Sequence, residues 1–138
     1  MSFTETEVAY LATQQLGRLA TVQPDGTLQV NPVGFTYDPA SEVIDIRGYN
    51  MGASRKFRNV AGDGRVAFVV DDIPSADPWR VRCLEVRAHA EAIATADSNG
   101  GLDGAIIRIH PKRIISFGTD EDREPHLLTS NNRTVPGD

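Results

Sequence analysis

The sequence predicts a mainly β protein, a closed or nearly closed barrel of six to seven mostly antiparallel strands with two short helices. Three observations carry that prediction. Compact turn signals recur at Gln23-Pro24-Asp25-Gly26 and Asp38-Pro39-Ala40-Ser41, where proline presets φ and Asp-Gly accepts a positive one. Residues Arg82 to Ile93 alternate, with Leu84, Val86, Ala88, Ala90 and Ala92 on one face and Glu85, Arg87, His89 and Glu91 on the other. Helical patterns are confined to two short stretches. A barrel removes the edges that so many hairpins would otherwise leave open.

Taken in order, Ser2 to Gln15 reads as a helix. Thr4 and Glu7 have capping-box spacing, Ser2 and Glu5 offer a second frame, and Val8, Leu11 and Ala12 form the apolar stripe. Gly17 ends it. Arg18 to Val22 and Thr27 to Asn31 are the arms of a hairpin, with Leu19 and Thr21 on one face, and Val33 to Tyr37 continues extended. Glu42 to Arg47 is a strand, Gly48 to Gly52 a loop, and Ser54 to Ala61 a helix ending near Gly62-Asp63-Gly64. Arg65 to Val70 is almost continuously apolar, so both of its faces are expected to be covered. Asp71 to Pro78, with its two prolines, reads as a loop. The alanine half of the 82–93 strand suits close approach by a neighbouring element. Thr95 to Asp103 is a polar loop, and Ala105 to Phe117 a last strand bent around His110-Pro111. Beyond Gly118 the chain is polar and is expected to have little structure of its own. This gives a barrel domain over residues 1–118 and a tail over 119–138.

With 138 residues the chain is one domain-sized unit that needs no staple. Its single cysteine, Cys83, allows no intramolecular disulfide and has no evident activating partner, so it reads as structural. The net charge of -5 argues against a duplex nucleic-acid partner. No apolar run approaches membrane-spanning length, and the acidic start has no basic segment of signal-peptide type. A cytoplasmic protein is expected. His89, His110 and His126 lack metal-ligand spacing, so no metal is expected, and Glu85 and Glu91 read as solvated.

The most informative stretch runs from Arg47 to Asn59. A strand ends, a loop with Gly48, Asn50 and Met51 follows, and a helix opens at Ser54 with Arg55 and Lys56 in its first turn. Basic residues there oppose the helix dipole, and a bound phosphate would relieve the penalty. A solvated basic face is the other reading. In Asn31-Pro32-Val33-Gly34, proline and glycine interrupt a strand-like run. They suit either a bulge at a barrel corner or a bare shelf for a planar ring. Trp79, beside Arg80 and Arg82, suits packing, a ring or a dimer seam.

Five motifs occur in one order: Leu-Gly-Arg-Leu-Ala-Thr-Val (16–22), Pro-Asp-Gly-Thr (24–27), Gln-Val-Asn-Pro-Val-Gly-Phe (29–35), Ser-Arg-Lys-Phe-Arg-Asn-Val (54–60) and Arg-Val-Ala-Phe-Val-Val-Asp-Asp (65–72). In this order they resemble the pyridoxamine-phosphate-oxidase-like superfamily of FMN-binding split barrels. Asp-Pro-Trp-Arg-Val-Arg (77–82) and Arg-Ile-Ile-Ser-Phe-Gly (113–118) are similar to the branch using coenzyme F-420, a deazaflavin, and to its subgroup containing the reductase of oxytetracycline biosynthesis. The resemblance covers residues 3 to 118. It implies a reductase passing hydride to an activated C=C or similar small-molecule acceptor; the alternatives are an FMN-binding oxidoreductase of the same fold and a non-catalytic flavin- or deazaflavin-binding protein. It implies a homodimer with cofactor sites at the subunit seam. Lys56 would grip the cofactor phosphate, helped by Arg55 and Ser54. Asn31 to Gly34 would lie along the ring, with Arg47 to Met51 bordering phosphate and ring. Trp79 would reach in from the partner. Where many relatives carry glycine, this chain has His89 or its neighbours.

Overall fold

The computed structural model describes residues 2–94 and 103–137. The loop expected over Thr95 to Asp103 therefore lies almost wholly outside the described residues. Helix α1 spans Glu5–Thr13. Thr4 caps it: its hydroxyl accepts from the Glu7 amide, and the Glu7 side chain accepts from the Thr4 amide in return. The Thr4–Glu7 frame is the one used. The helix ends at Gln14, not at Gly17. Gly17 instead lies within strand β1 (Leu16–Val22), where a Cβ would sit 2.5 Å from the Phe68 ring. Its smallness serves core packing rather than helix termination. The buried face of α1 is Glu7, Tyr10 and Leu11, with Val8 half-buried and Ala12 exposed.

β1 turns through Gln23–Gly26 into β2 (Leu28–Gly34). Gly26 supplies the positive φ of 85° that closes the turn. After Phe35 come β3 (Thr36–Asp38) and β4 (Val43–Ile46), joined by a turn in which the Asp38 carboxylate accepts from the Ala40 amide and the Ser41 hydroxyl. A short 3₁₀ turn (Met51–Ala53) leads to α2 (Arg55–Gly62). Two long strands follow, β5 (Arg65–Ala76) and β6 (Trp79–Ile93). The expected loop from Asp71 is thus strand as far as Ala76: pairing with β6 continues past a register shift between Asp72 and Ser75, and Pro74 sits inside that irregularity. β7 (Ile106–Phe117) carries the expected bend, where Ala88 faces Pro111 and Arg87 faces Arg113.

The sheet order is β2-β1-β5-β6-β7-β4-β3, with all pairs antiparallel. It curls around a core that includes Leu19, Ile44, Phe68, Leu84, Ile107 and Ile114. Fully burying one such aliphatic side chain stabilises by about 1.5–3 kcal/mol. The first and last strands, β2 and β3, are not paired with each other, so the barrel is split where the chain passes between them. The alanine half of β6 is approached as expected: Ala90 donates to the Gly64 carbonyl at 2.7 Å, and a Cβ on Gly64 would strike His89 and Ala90 at under 3 Å. The glycine that permits this contact lies on the neighbouring strand's approach, facing Ala90 and touching the His89 ring, rather than at His89 itself.

The segment beyond Gly118 is not without structure. Residues Asn131–Thr134 form β8, an eighth strand paired to β7. From it Arg133 reaches Glu7, which is 1% exposed, and also donates to the Ser2 carbonyl. Ser116 donates to the same carboxylate at 2.6 Å. Burial alone would raise the Glu7 carboxyl, but the hydrogen bonds from Arg133, Ser116 and Thr4 outweigh it and hold it below its ordinary value of 4.5. Polarity in the tail reflected long-range pairing, which local composition does not encode.

A carboxyl depressed in the fold adds stability above its unfolded pKa, and that stability fades as pH falls through the folded pKa. Arg133→Ala, which leaves Glu7 buried with its cation removed, should cost about 3 kcal/mol in urea unfolding at neutral pH. The difference from the unsubstituted protein should shrink below pH 4.

Candidate functional site

Helix α2 builds one end of the barrel. Ser54 is its N-cap, accepting from the Phe57 amide at 3.2 Å while giving its own proton to the Met51 carbonyl at 2.6 Å. Ser54 therefore shapes the helix start. The amides of Arg55 and Lys56 are the two in the first turn without an intrahelical acceptor. No acidic residue occupies that turn.

The buried face of α2 holds Phe57, Val60 and Asn59. Asn59 is 4% exposed, and its amide donates to Thr21 Oγ1 and Gln29 Oε1, both at 3.1 Å. It fastens the helix to β1 and β2 together. The sequence does not single out Asn59, because its acceptors lie 38 and 30 positions away. Between α2 and the β1–β2 turn lies a cleft of about 310 Å³ lined by Val22, Gln23, Pro24, Arg58, Asn59, Gly62 and Asp63. Asp25 is held below the usual carboxylate range chiefly by hydrogen bonds from Thr27, with a smaller contribution from the charge of Arg55.

Charge is distributed unevenly. Arg18, Arg65, Arg80, Arg82, Arg87, Arg108, Arg123 and Arg133 each have a carboxylate partner. Among the described residues Lys112 and Arg113, on β7, have none, and neither do Arg47, Arg55, Lys56 and Arg58. The last four belong to the α2 end, since β4 delivers Arg47 beside the Ile106–Ile107 end of β7. Gly48 and Asn50 lie in the same loop, with Asn50 at a φ of 56° opening the 3₁₀ turn. Met51 is 1% exposed and belongs to the core, so only its backbone is available to a ligand.

Strand β2 sorts the other candidates by alternation. Val33 is buried and Asn31 half-buried, on the inner phase with Gln29. Pro32 and Gly34 are exposed on the outer phase, opposite Arg18 and Leu16. A Cβ on Gly34 would have only the Gln15 carbonyl within 4 Å, at 3.9 Å. Among the described residues nothing crowds that position. The bulge at a barrel corner does not occur here, because the β1–β2 register is unbroken from Leu16↔Gly34 to Val22↔Leu28.

The structure does not bring Trp79 to this group. Arg65, just after α2, and Ala76, which pairs with Trp79, are the two ends of a 12-residue strand, or about 36 Å at 3.3 Å per residue. Trp79 is 50% exposed at the far end. Cys83 lies between, its thiol pushed up to about 11 by burial, so it is protonated at neutral pH. His110 pairs with Glu91 at 2.9 Å, and Glu85 with Arg87 at 2.9 Å. No described helix is long and apolar enough to cross a membrane.

A curled antiparallel split barrel with two helices is the architecture of flavin-type oxidoreductases, and the comparisons agree. Residues 3–123 match the family model described as pyridoxamine 5'-phosphate oxidase, and the chain belongs to that family. It is 45% identical over 124 residues to the 5a,11a-dehydrotetracycline/5a,11a-dehydrooxytetracycline reductase of Streptomyces rimosus, covering 88% of this chain and 87% of that one. The chain is accordingly an oxidoreductase. Among solved structures, a conserved hypothetical protein of Mycobacterium tuberculosis superposes with a TM-score of 0.67 at 19% identity, over 98% of this chain and 93% of that one. An F420 reductase gives a TM-score of 0.57 at 27% identity, over 72% of this chain and 88% of that one.

Replacing Asn59 by alanine would strand Thr21 and Gln29 at the helix–hairpin junction. Chemical denaturation should record a loss of about 1–3 kcal/mol.

Proposed function

We propose that the chain is a deazaflavin (F-420)-dependent reductase that passes a hydride to an activated C=C of a small-molecule acceptor. The observation that carries this reading is the cluster of Arg47, Arg55, Lys56 and Arg58, without carboxylate partners among the described residues, around two unsatisfied amides in a chain of net charge -5. A phosphate suits that cluster in charge and in hydrogen bonding. The same residues fit FMN, whose phosphate chemistry is alike. The printed names of the Streptomyces reductase and the F420 reductase favour the deazaflavin.

When bound, reduced deazaflavin supplies a hydride, and a proton from solvent completes the reduction. The chain's own residues bind and orient. Lys56 and Arg55 hold the phosphate, while Arg47 and the Gly48–Met51 backbone border it. Pro32, which has no amide N–H, and Gly34, which has no side chain, leave the outer face of β2 open to a flat ring. Trp79 covers that ring from a second copy, since its own α2 lies at the opposite end of β5.

A homodimer follows from the same geometry and from the outer sheet face. The register lines up Leu28, Val30, Ala20, Val22, Ala67 and Val69 on it. Leu28 and Val30 are 73% and 65% exposed, and a shallow cleft of about 300 Å³ runs between Val30 and β5, with Arg18 and Glu85 also in its lining. The β5 run that the sequence marks as covered on both faces has only one covered within the subunit. A second copy supplies the other.

Lys56→Ala should raise the Kd for F-420 and FMN at least tenfold in fluorescence titrations, with a flatter salt dependence. An unchanged Kd for both overturns the phosphate assignment. Val30→Glu should convert the dimer to a monomer in light scattering and abolish cofactor binding together. A monomeric variant that binds as before would sink the shared site.

A further inference from the structure

The β5–β6 pair outruns its neighbours. β1 pairs with β5 only to Val69, and β7 with β6 only from Cys83. Residues 71–82 therefore form an arm flanked by no strand among the described residues. No residue from 71 to 83 belongs to the hydrophobic core, and Ile73 and Trp79 on the arm are about half exposed, at 51% and 50%.

That arm is nevertheless pinned twice. At its root Asp72 takes two parallel hydrogen bonds from Arg82, Nε to Oδ1 at 2.9 Å and Nη2 to Oδ2 at 2.6 Å. Such forked pairing fixes direction as well as distance. Tyr10, 3% exposed on α1, donates its hydroxyl to the same Oδ1 at 2.9 Å, and the Arg82 guanidinium lies 5.0 Å over its ring. Nearer the tip, the chain leaves β7 at Gly118, whose φ is 76° and where a Cβ would fall 2.1 Å from the Val81 carbonyl oxygen. Only glycine permits this approach. The following segment brings Asp122 to Arg80 Nε at 2.8 Å, and Arg80 Nη1 donates to the Trp79 carbonyl at 2.9 Å. Arg80 thus connects Trp79 itself to the segment after β7.

Apart from satisfying the buried Tyr10 hydroxyl, these contacts act on the direction of a projecting hairpin rather than on core packing. We propose that Tyr10, Arg82 and Arg80 are positioning residues, fixing the arm and so the place Trp79 takes against the ring held by the partner copy. The proposal rests on the reading of Trp79 given above.

Trp79 is the chain's single tryptophan, so its emission reports the arm alone. The test measures its anisotropy in cofactor-free protein and its quenching on titration with FMN and with F-420, using Tyr10→Phe and Arg80→Ala. Both variants should lower the anisotropy and at least halve the quenching at saturation, while the Kd stays within about twofold. Arg80→Ala alters a pair in which Asp122 is largely exposed, so it keeps the test open if Tyr10→Phe folds poorly. Anisotropy and quenching matching the unsubstituted protein in both variants overturn the positioning role and leave the cofactor reading standing. Unquenched Trp79 in the unsubstituted protein, with either cofactor bound, overturns the ring-side reading and this inference with it.

Discussion

Because β5 and β6 contain 12 and 15 residues while β1 and β2 contain 7 each, the long pair sets the length of the molecule. Everything else is placed along it. Its α2 end collects the loop after β4 and the helix start, held down by Asn59 and by the Gly64–Ala90 contact. Its opposite end overshoots the barrel as a bare hairpin. An extended ladder of this length cannot be shortened without losing pairing, so groups at its two ends do not meet within one subunit. A function that uses both ends must use two copies, arranged so that one arm lies against the other's helix-capped end. In the proposed dimer the outer face of β2, β1 and β5 would be the surface such a pairing buries.

The second constraint is a single buried carboxylate. Glu7 caps its own helix and also takes the proton of Ser116 and the charge of Arg133. One side chain thereby joins α1, β7 and β8. The family match ends at residue 123, and β8 lies beyond it. The strand is still part of the fold's polar accounting, because without Arg133 the carboxylate would be buried with no cation near it.

Local rules were legible in the sequence wherever the interaction itself was local. The Thr4–Glu7 box, the Pro24-Asp25-Gly26 turn, the Ser54 cap and the alternation in β6 were all readable, because each depends on residues a few positions apart. Legibility failed where a distant partner decided the outcome. Gly17 looks like a helix stop but answers to the Phe68 ring. Asp71 to Ala76 looks like loop, yet β6 pairs with it despite Pro74. Arg133 looks like a solvated tail residue, and only a contact with Glu7, 126 positions away, shows otherwise. The candidate site divides in the same way. Its helix start and strand β2 were readable as motifs. Asn59, which ties them together, was not, since its acceptors lie on two strands that only the fold brings side by side.

The pairing pattern of the arginines bears on the site proposed at the α2 end. A solvated face in an acidic protein attracts carboxylates easily, because long side chains can swing to meet them at little cost. Here the partnered arginines lie along the strands, on the arm and in the C-terminal segment, even at exposed positions such as Arg87 and Arg65. The cations around α2, like Lys112 and Arg113 on β7, stay without carboxylate partners among the described residues, but only those around α2 gather at the start of an α-helix whose first turn holds no acid. Left alone, that arrangement is unfavourable for the helix, since like charges crowd its positive end. A dianionic phosphate reverses the sign of the whole term at once. The uncrowded Gly34 on β2 is a separate feature, one of shape where the other is one of charge, and the proposed ring would use it.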